Sequence, residues 1–160
     1  MAIGVGDKLP DATFKVRTAD GLKDMTTAEI FGGKRVVLFA VPGAFTPTCQ
    51  AKHLPSYLEH HAALTAKGVD RIACVAVNDA FVLDAWAKAG GVSEKVLMLS
   101  DGNLEFTRAA GMELDATVVG EGIRSQRYAA LVRDGVVADI KIDEKPWLAE
   151  ASSAESICAL

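Results

Sequence analysis

The sequence predicts an α/β fold, a central mixed sheet flanked by helices, in one domain over residues 1–160. Three observations predict it. Apolar, β-branched runs alternate with stretches of helical period through the middle of the chain. Near the C-terminal end, two β-rich runs flank an Asp134-Gly135 turn. Finally, 160 residues, half of them apolar, suffice for one substantial core and offer no linker on which to divide it.

The elements follow in order. The first 35 residues are rich in turn signals: Gly4, Gly6, Pro10, Asp20-Gly21 and Gly32-Gly33. Within them Thr26-Thr27-Ala28-Glu29 has the spacing of a capping box and predicts a short helix. Val36–Val41 is a continuous apolar run, the pattern of a strand covered on both faces, and Pro42-Gly43 stop it. From about Thr48 to Ala66 the period is helical, with Leu54, Leu58 and Ala62 on one stripe. Arg71–Val77 predicts a second buried strand, and Asn78 and Asp79 offer a cap for a helix over Ala80–Lys88. Val96–Leu99 predicts a third strand, and Asn103–Ala110 a short helix ended by Gly111. Tyr128–Val132 and Val136–Ile142 predict an antiparallel hairpin. Ser152-Ser153-Ala154-Glu155 predicts the cap of a last helix reaching Leu160. This order implies right-handed parallel crossovers early and an antiparallel edge late, and it is compatible with a thioredoxin-like sheet.

Composition excludes some functions. The net charge is −4 and basic residues are not clustered, so no nucleic-acid footprint is present. No apolar run approaches the roughly 18 residues of a membrane span. The N-terminal segment lacks the basic and apolar regions of a signal peptide. The expected location is the cytoplasm, with an organelle compatible with a removed targeting segment. Three cysteines, Cys49, Cys74 and Cys158, form neither a Cys-x-x-Cys pair nor a zinc pattern. Each is a buried small hydrophobe or an active thiol.

Cys49 stands where a buried strand meets a helix, in the helix's first turn. Free backbone N–H groups and the positive end of the dipole favour an anion there, and a thiolate is one. Pro47 is placed to start that helix. Thr46 and Thr48 put hydroxyls nearby; they serve a thiolate and its oxygen substrate, or they merely cap the helix beside an inert cysteine. His53, four residues on, shares the face of Cys49. It orients an arginine or, with Cys49, begins a metal site. His60 lies about 16 Å further along and cannot complete that site.

Pro42-x-x-x-Thr46-x-x-Cys49 resembles the active-site motif of the peroxiredoxins. The longer string Pro42-Gly43-Ala44-Phe45-Thr46-Pro47-Thr48-Cys49, followed by His53 and Pro55, is similar to the type-II branch. The resemblance continues through Val77-Asn78-Asp79, Phe81-Val82, Ala85-Trp86, Ser100-Asp101-Gly102 and Arg124-Ser125-Gln126-Arg127-Tyr128. It implies a thioredoxin-like fold and a thiol-dependent peroxidase without cofactor or metal. It implies that Cys49 attacks hydrogen peroxide and organic hydroperoxides and becomes a sulfenic acid. Thr46 would position the peroxide, Pro42 would shield the site, and Arg127 would stabilise the thiolate and the transition state. Arg124 and Arg127, three apart in an extended segment, should point to opposite faces. Arg124 then supports the site or is a surface charge.

Cys74, mid-strand, reads as a buried hydrophobe or as a resolving cysteine reached by local unfolding. Cys158, near the end of the chain, lacks the loop context of a resolving cysteine in type-II members. The expected cycle therefore uses one cysteine and an external thiol, either glutathione with glutaredoxin or thioredoxin. Many members are homodimers, and Phe45, Phe81 and Trp86 are interface candidates or ordinary core. A disulfide reductase is disfavoured by the absent Cys-x-x-Cys, whereas a peroxide sensor on the same fold, with little turnover, stays open.

Overall fold

The computed structural model describes residues 1–159. The chain opens with a hairpin of β1 (Thr13–Thr18) and β2 (Gly21–Thr26), followed by a short helix α1 (Thr27–Phe31). Next come β3 (Arg35–Val41), a π-helical turn (Cys49–His53), α2 (Leu54–Glu59), α3 (His61–Ala66) and β4 (Arg71–Ala76). Then α4 (Ala80–Ala89), β5 (Leu97–Ser100) and α5 (Glu105–Ala109) follow. A two-stranded sheet of β6 (Glu113–Asp115) and β7 (Ile123–Ser125) precedes β8 (Tyr128–Arg133), β9 (Val136–Ile142) and α6 (Ala154–Cys158).

The main sheet has seven strands in the order β2-β1-β5-β4-β3-β8-β9. β3, β4 and β5 are mutually parallel, as their apolar runs predict, and β8–β9 forms the antiparallel edge around Asp134-Gly135. The strand period of two divides β3 between the faces. Val37, Phe39 and Val41 join one core with Leu54, Tyr57, Trp86 and Ile157; Val36, Leu38 and Ala40 join the other with Phe14, Ile30 and Phe106. Cys49 and Cys74 both lie in the first core. Among the described residues, no helix is long and apolar enough to cross a membrane.

Several elements differ from the sequence expectation, the unexpected small sheet β6–β7 among them. The turn-rich start contains β1–β2, a sheet edge. Only Phe14 and Val16 point inward from β1 and β2 is largely exposed, so neither strand shows an apolar run. The single helix expected over 48–66 is broken. Pro55 has no N–H to give a regular helical bond, and the preceding turn widens so that Leu54 N–H bonds to Cys49 O. A second break falls at His60, whose Nδ1 and backbone N both contact Ser56 O. Asp79 caps α4 through Val82 N, but Asn78 does not; its Oδ1 accepts from Ala44 N instead. Ser153, not Ser152, caps α6, and the continuation to Leu160 lies outside the described residues.

Candidate active site

β3, an interior strand, ends at Val41. Pro42 and Gly43 then turn the chain into a loop, and helical geometry begins at Pro47, with Gln50 N–H bonding to Thr46 O. Proline costs nothing at this first position, where its missing N–H has no helical partner anyway. Cys49 sits in this first turn, fully buried. The loop is held from three directions. Asn78 takes Ala44 N–H at 2.9 Å, the Thr46 hydroxyl donates to Gly43 O at 2.7 Å, and the Thr48 hydroxyl donates to Trp147 O at 2.6 Å. Neither threonine caps the helix with its hydroxyl. Phe45 takes φ 61°, a left-handed conformation uncommon for a bulky residue, and its ring stays half-exposed. Gly43 has no room for a side chain: a Cβ there would stand 2.9 Å from Arg124 Nη1 and 3.0 Å from Thr46 Cγ2.

Arg127 enters from the segment before β8 and is 2 % exposed. Its guanidinium makes three contacts. Nε donates to Pro146 O at 2.8 Å, Nη1 meets His53 Nδ1 at 2.8 Å, and Nη2 meets Cys49 Sγ at 2.9 Å. The ion pairs among the described residues, Lys15–Asp24, Lys88–Asp84, Arg108–Glu113 and Lys141–Asp139, leave Arg127 out. A buried cation needs an anion. Cys49 Sγ is the group on Arg127 able to become one.

His53 closes the other side. A guanidinium only donates, so His53 Nδ1 accepts; Nε2 therefore carries the proton and donates to Ser152 O at 3.0 Å. Burial, and then the neighbouring Arg127 charge, lower the imidazole from its ordinary 6.5 to about 3, so it is neutral in this role. Phe39 packs its ring 5.1 Å from the imidazole and stacks on Tyr57 at 3.9 Å, which fixes the ring's plane.

The expectation that Arg124 and Arg127 diverge is not met. Arg124 Nη1 donates to Pro42 O at 3.2 Å, so both arginines reach the Pro42–Cys49 segment. β7 ends at Ser125 and belongs to the small sheet, whereas Arg127 leads into the main one. Strand alternation does not carry across that join.

The remaining candidates lie elsewhere. Cys74 is fully buried on β4; burial, reinforced by Cys49, pushes its thiol well up. Cys158 is half-buried on α6 and also raised by burial. Trp86 is core, with Nε1 donating to Gln50 Oε1 at 2.6 Å, so it is no interface residue; Phe45 and Phe81 are exposed. Among the described residues no three His, Cys, Asp or Glu side chains gather as metal ligands. Sequence reasoning missed Asp143, Ser152 and the carbonyls of Pro146 and Trp147. Ser152 carried a signal, but it read as a cap.

The Redoxin family model matches residues 4–157. The chain is 54 % identical to the chloroplastic peroxiredoxin-2E-2 of Oryza sativa, over 99 % of this chain and 72 % of that one. It is 47 % identical to the chloroplastic peroxiredoxin-2E of Arabidopsis thaliana, over 99 % and 70 %. Among solved structures, reduced Prx3 of Vibrio vulnificus in complex with hydrogen peroxide superposes with a TM-score of 0.93 at 48 % identity, covering 98 % of each chain. The fold is thus the thioredoxin-like one, a central mixed sheet flanked by helices. With the strand-to-helix cysteine, its guanidinium and these relatives in view, the chain belongs to the Redoxin family, as a type-II peroxiredoxin, and is a thiol-dependent peroxidase.

Proposed function

We propose that Cys49 is the thiol that attacks the peroxide, held as a thiolate by Arg127. The 2.9 Å contact between Arg127 Nη2 and Cys49 Sγ carries this reading. The sulfur pair attacks one peroxide oxygen and the O–O bond breaks. The other oxygen leaves with the bond's electrons, takes a proton and departs as water or an alcohol, and Cys49 becomes a sulfenic acid. Negative charge moves from sulfur to the leaving oxygen, and a fixed guanidinium stabilises it along the way. The Thr46 proton is committed to Gly43 O, which frees its oxygen lone pairs to accept the peroxide O–H. Buried Pro42 walls the site against water, and Arg124 pins its carbonyl.

The substrates are hydrogen peroxide and small organic hydroperoxides, a reading supported by the hydrogen peroxide bound in the Vibrio vulnificus relative. An external thiol, from glutathione with glutaredoxin or from thioredoxin, condenses with the sulfenic acid to release water; a second thiol then frees Cys49 as a disulfide leaves. Cys74, sealed in β4, and Cys158, half-buried on α6, are outside this cycle. Residues 1–160 act as one domain, and two copies pair through the loop bearing the exposed ring of Phe45 and the start of α4 bearing that of Phe81. The compartment is a thiol-reducing one, cytoplasm or organelle; the chloroplastic names of the rice and Arabidopsis relatives support the latter.

Peroxide consumption by wild type and the Cys→Ser variants tests this, with each reductant in turn. Only Cys49→Ser should stop turnover. Loss of turnover in Cys74→Ser or Cys158→Ser, with glutathione and glutaredoxin supplied, would overturn the one-cysteine cycle. Oxidation without repeated turnover under both reductants would turn the reading toward a sensor.

A further inference from the structure

The segment between β9 and α6, residues 143–153, crosses behind the site and supplies three of its acceptors. Pro146 O takes Arg127 Nε–H, Trp147 O takes the Thr48 hydroxyl, and Ser152 O takes His53 Nε2–H. Nothing in its sequence makes this segment a helix or strand, so its path needs another cause. For residues 150–152 that cause is one carboxylate, while Pro146 and Trp147 are held by the Arg127 and Thr48 bonds. Asp143 is 6 % exposed, and its Oδ1 accepts from Glu150 N at 3.1 Å and Ala151 N at 2.8 Å. Its Oδ2 accepts from Ser152 N at 3.3 Å and from the Ser152 hydroxyl in a short bond. Asp143 N–H in turn donates to Arg127 O at 3.0 Å, so the carboxylate is anchored to the backbone of the arginine itself.

We infer that Asp143 is a positioning residue for peroxide reduction, acting through Ser152 and His53 on the Arg127 guanidinium. The inference rests on the proposed roles of Cys49 and Arg127 and adds the support behind them. Donor direction makes the chain specific. A carboxylate only accepts, so the Ser152 hydroxyl donates to Asp143 and turns a lone pair toward His53 Nε2, 3.1 Å away. Nε2 thereby faces two acceptors, Ser152 O and Ser152 Oγ, and holds its proton. Nδ1 is left as a lone pair, the group Arg127 Nη1–H requires. Without Asp143 the Ser152 hydroxyl is free to donate to Nε2. The proton would then sit on Nδ1 and face the guanidinium donor to donor, pushing Nη2 off the sulfur.

The test is a double-mutant cycle on the rate of sulfenic acid formation with hydrogen peroxide, read by rapid mixing of the reduced full chain. Asp143→Asn should lower the second-order rate constant about tenfold, the scale of one lost hydrogen bond to a charged group. His53→Ala should lower it at least as much. The double variant should be no slower than His53→Ala alone, because the two act in one line. Multiplicative losses, or a wild-type rate in Asp143→Asn, overturn the inference. Ser152→Ala repeats the cycle should Asp143→Asn fail to fold. Nitrogen-15 NMR of the wild-type imidazole needs no variant: the proton is expected on His53 Nε2, and a proton on Nδ1 overturns the chain. Cys49→Ser and Arg127→Gln run alongside. If they keep wild-type rates, the underlying reading fails; if they lose activity while Asp143→Asn does not, only this inference fails.

Discussion

At the scale of single residues, the site is a buried cation with a sulfur on one side and a neutral imidazole on the other. Replacing Arg127 by Gln removes the charge yet keeps a donor. Oxidation of Cys49 should slow roughly 100- to 1,000-fold, the cost seen when a fixed transition-state donor is lost; stopped-flow kinetics with hydrogen peroxide measures it. Thr46→Val should cost about tenfold or more, while Thr46→Ser, which keeps the hydroxyl, should stay close to wild type. His53 makes a stability prediction. Its folded-state value of about 3 lies below the ordinary 6.5, so the unfolded chain takes up the proton first as pH falls. Stability from this group is therefore complete above 6.5 and is lost between 6.5 and about 3, at up to about 1.4 kcal/mol per pH unit. Denaturant titrations at several pH values should show a steeper acid loss for wild type than for His53→Asn. Cys49, Thr46 and His53 were legible because they fall within one stretch of chain. Ser152 was not, since it meets His53 across 99 positions, and no local pattern encodes that meeting.

At the scale of elements, the loop from Pro42 to Pro47 is fitted too closely to accept atoms. Gly43→Ala would press on Arg124 Nη1 and Thr46 Cγ2. The arginine tip can swing away, so the protein should fold, but the Pro42 carbonyl loses its donor. Activity should fall several-fold, of the order of one surface-side hydrogen bond, with the melting temperature changed by only a few degrees. The strands that carry this loop were readable because burial on both faces writes an uninterrupted apolar run, as in Val36–Val41. The β1–β2 hairpin was not, because an edge needs only Phe14 and Val16 inside and leaves the rest polar. The helix after Cys49 was readable in extent but not in its π turn, which answers to the missing N–H of Pro55.

At the scale of the whole molecule, two cores clamp one sheet, and the site stands at the end of the first. Cys74 lies inside that core and Cys158 against it, so the three cysteines are neighbours in packing but unequal in surroundings: Cys49 meets the Arg127 guanidinium, Cys74 is sealed in β4 and Cys158 is half-buried. Cys74→Ser buries a hydroxyl in an apolar strand and should lower stability by about 1–3 kcal/mol while turnover per folded molecule is kept. Chemical denaturation beside steady-state assays separates the two effects. The layered architecture was legible in the alternation of elements, and the Pro42–Cys49 segment in one eight-residue string; the path from Asp143 to Ala151 was not, because side-chain bonds rather than a local pattern set it, those of the Asp143 carboxylate to residues 150–152 among them. The most direct test of the central claim is the intact mass of the reduced protein after rapid mixing with equimolar hydrogen peroxide, in wild type and Cys49→Ser. The account predicts one added oxygen, mapped to Cys49, in wild type and none in the variant within the same time. Equal oxidation and full peroxide consumption by Cys49→Ser would contradict it.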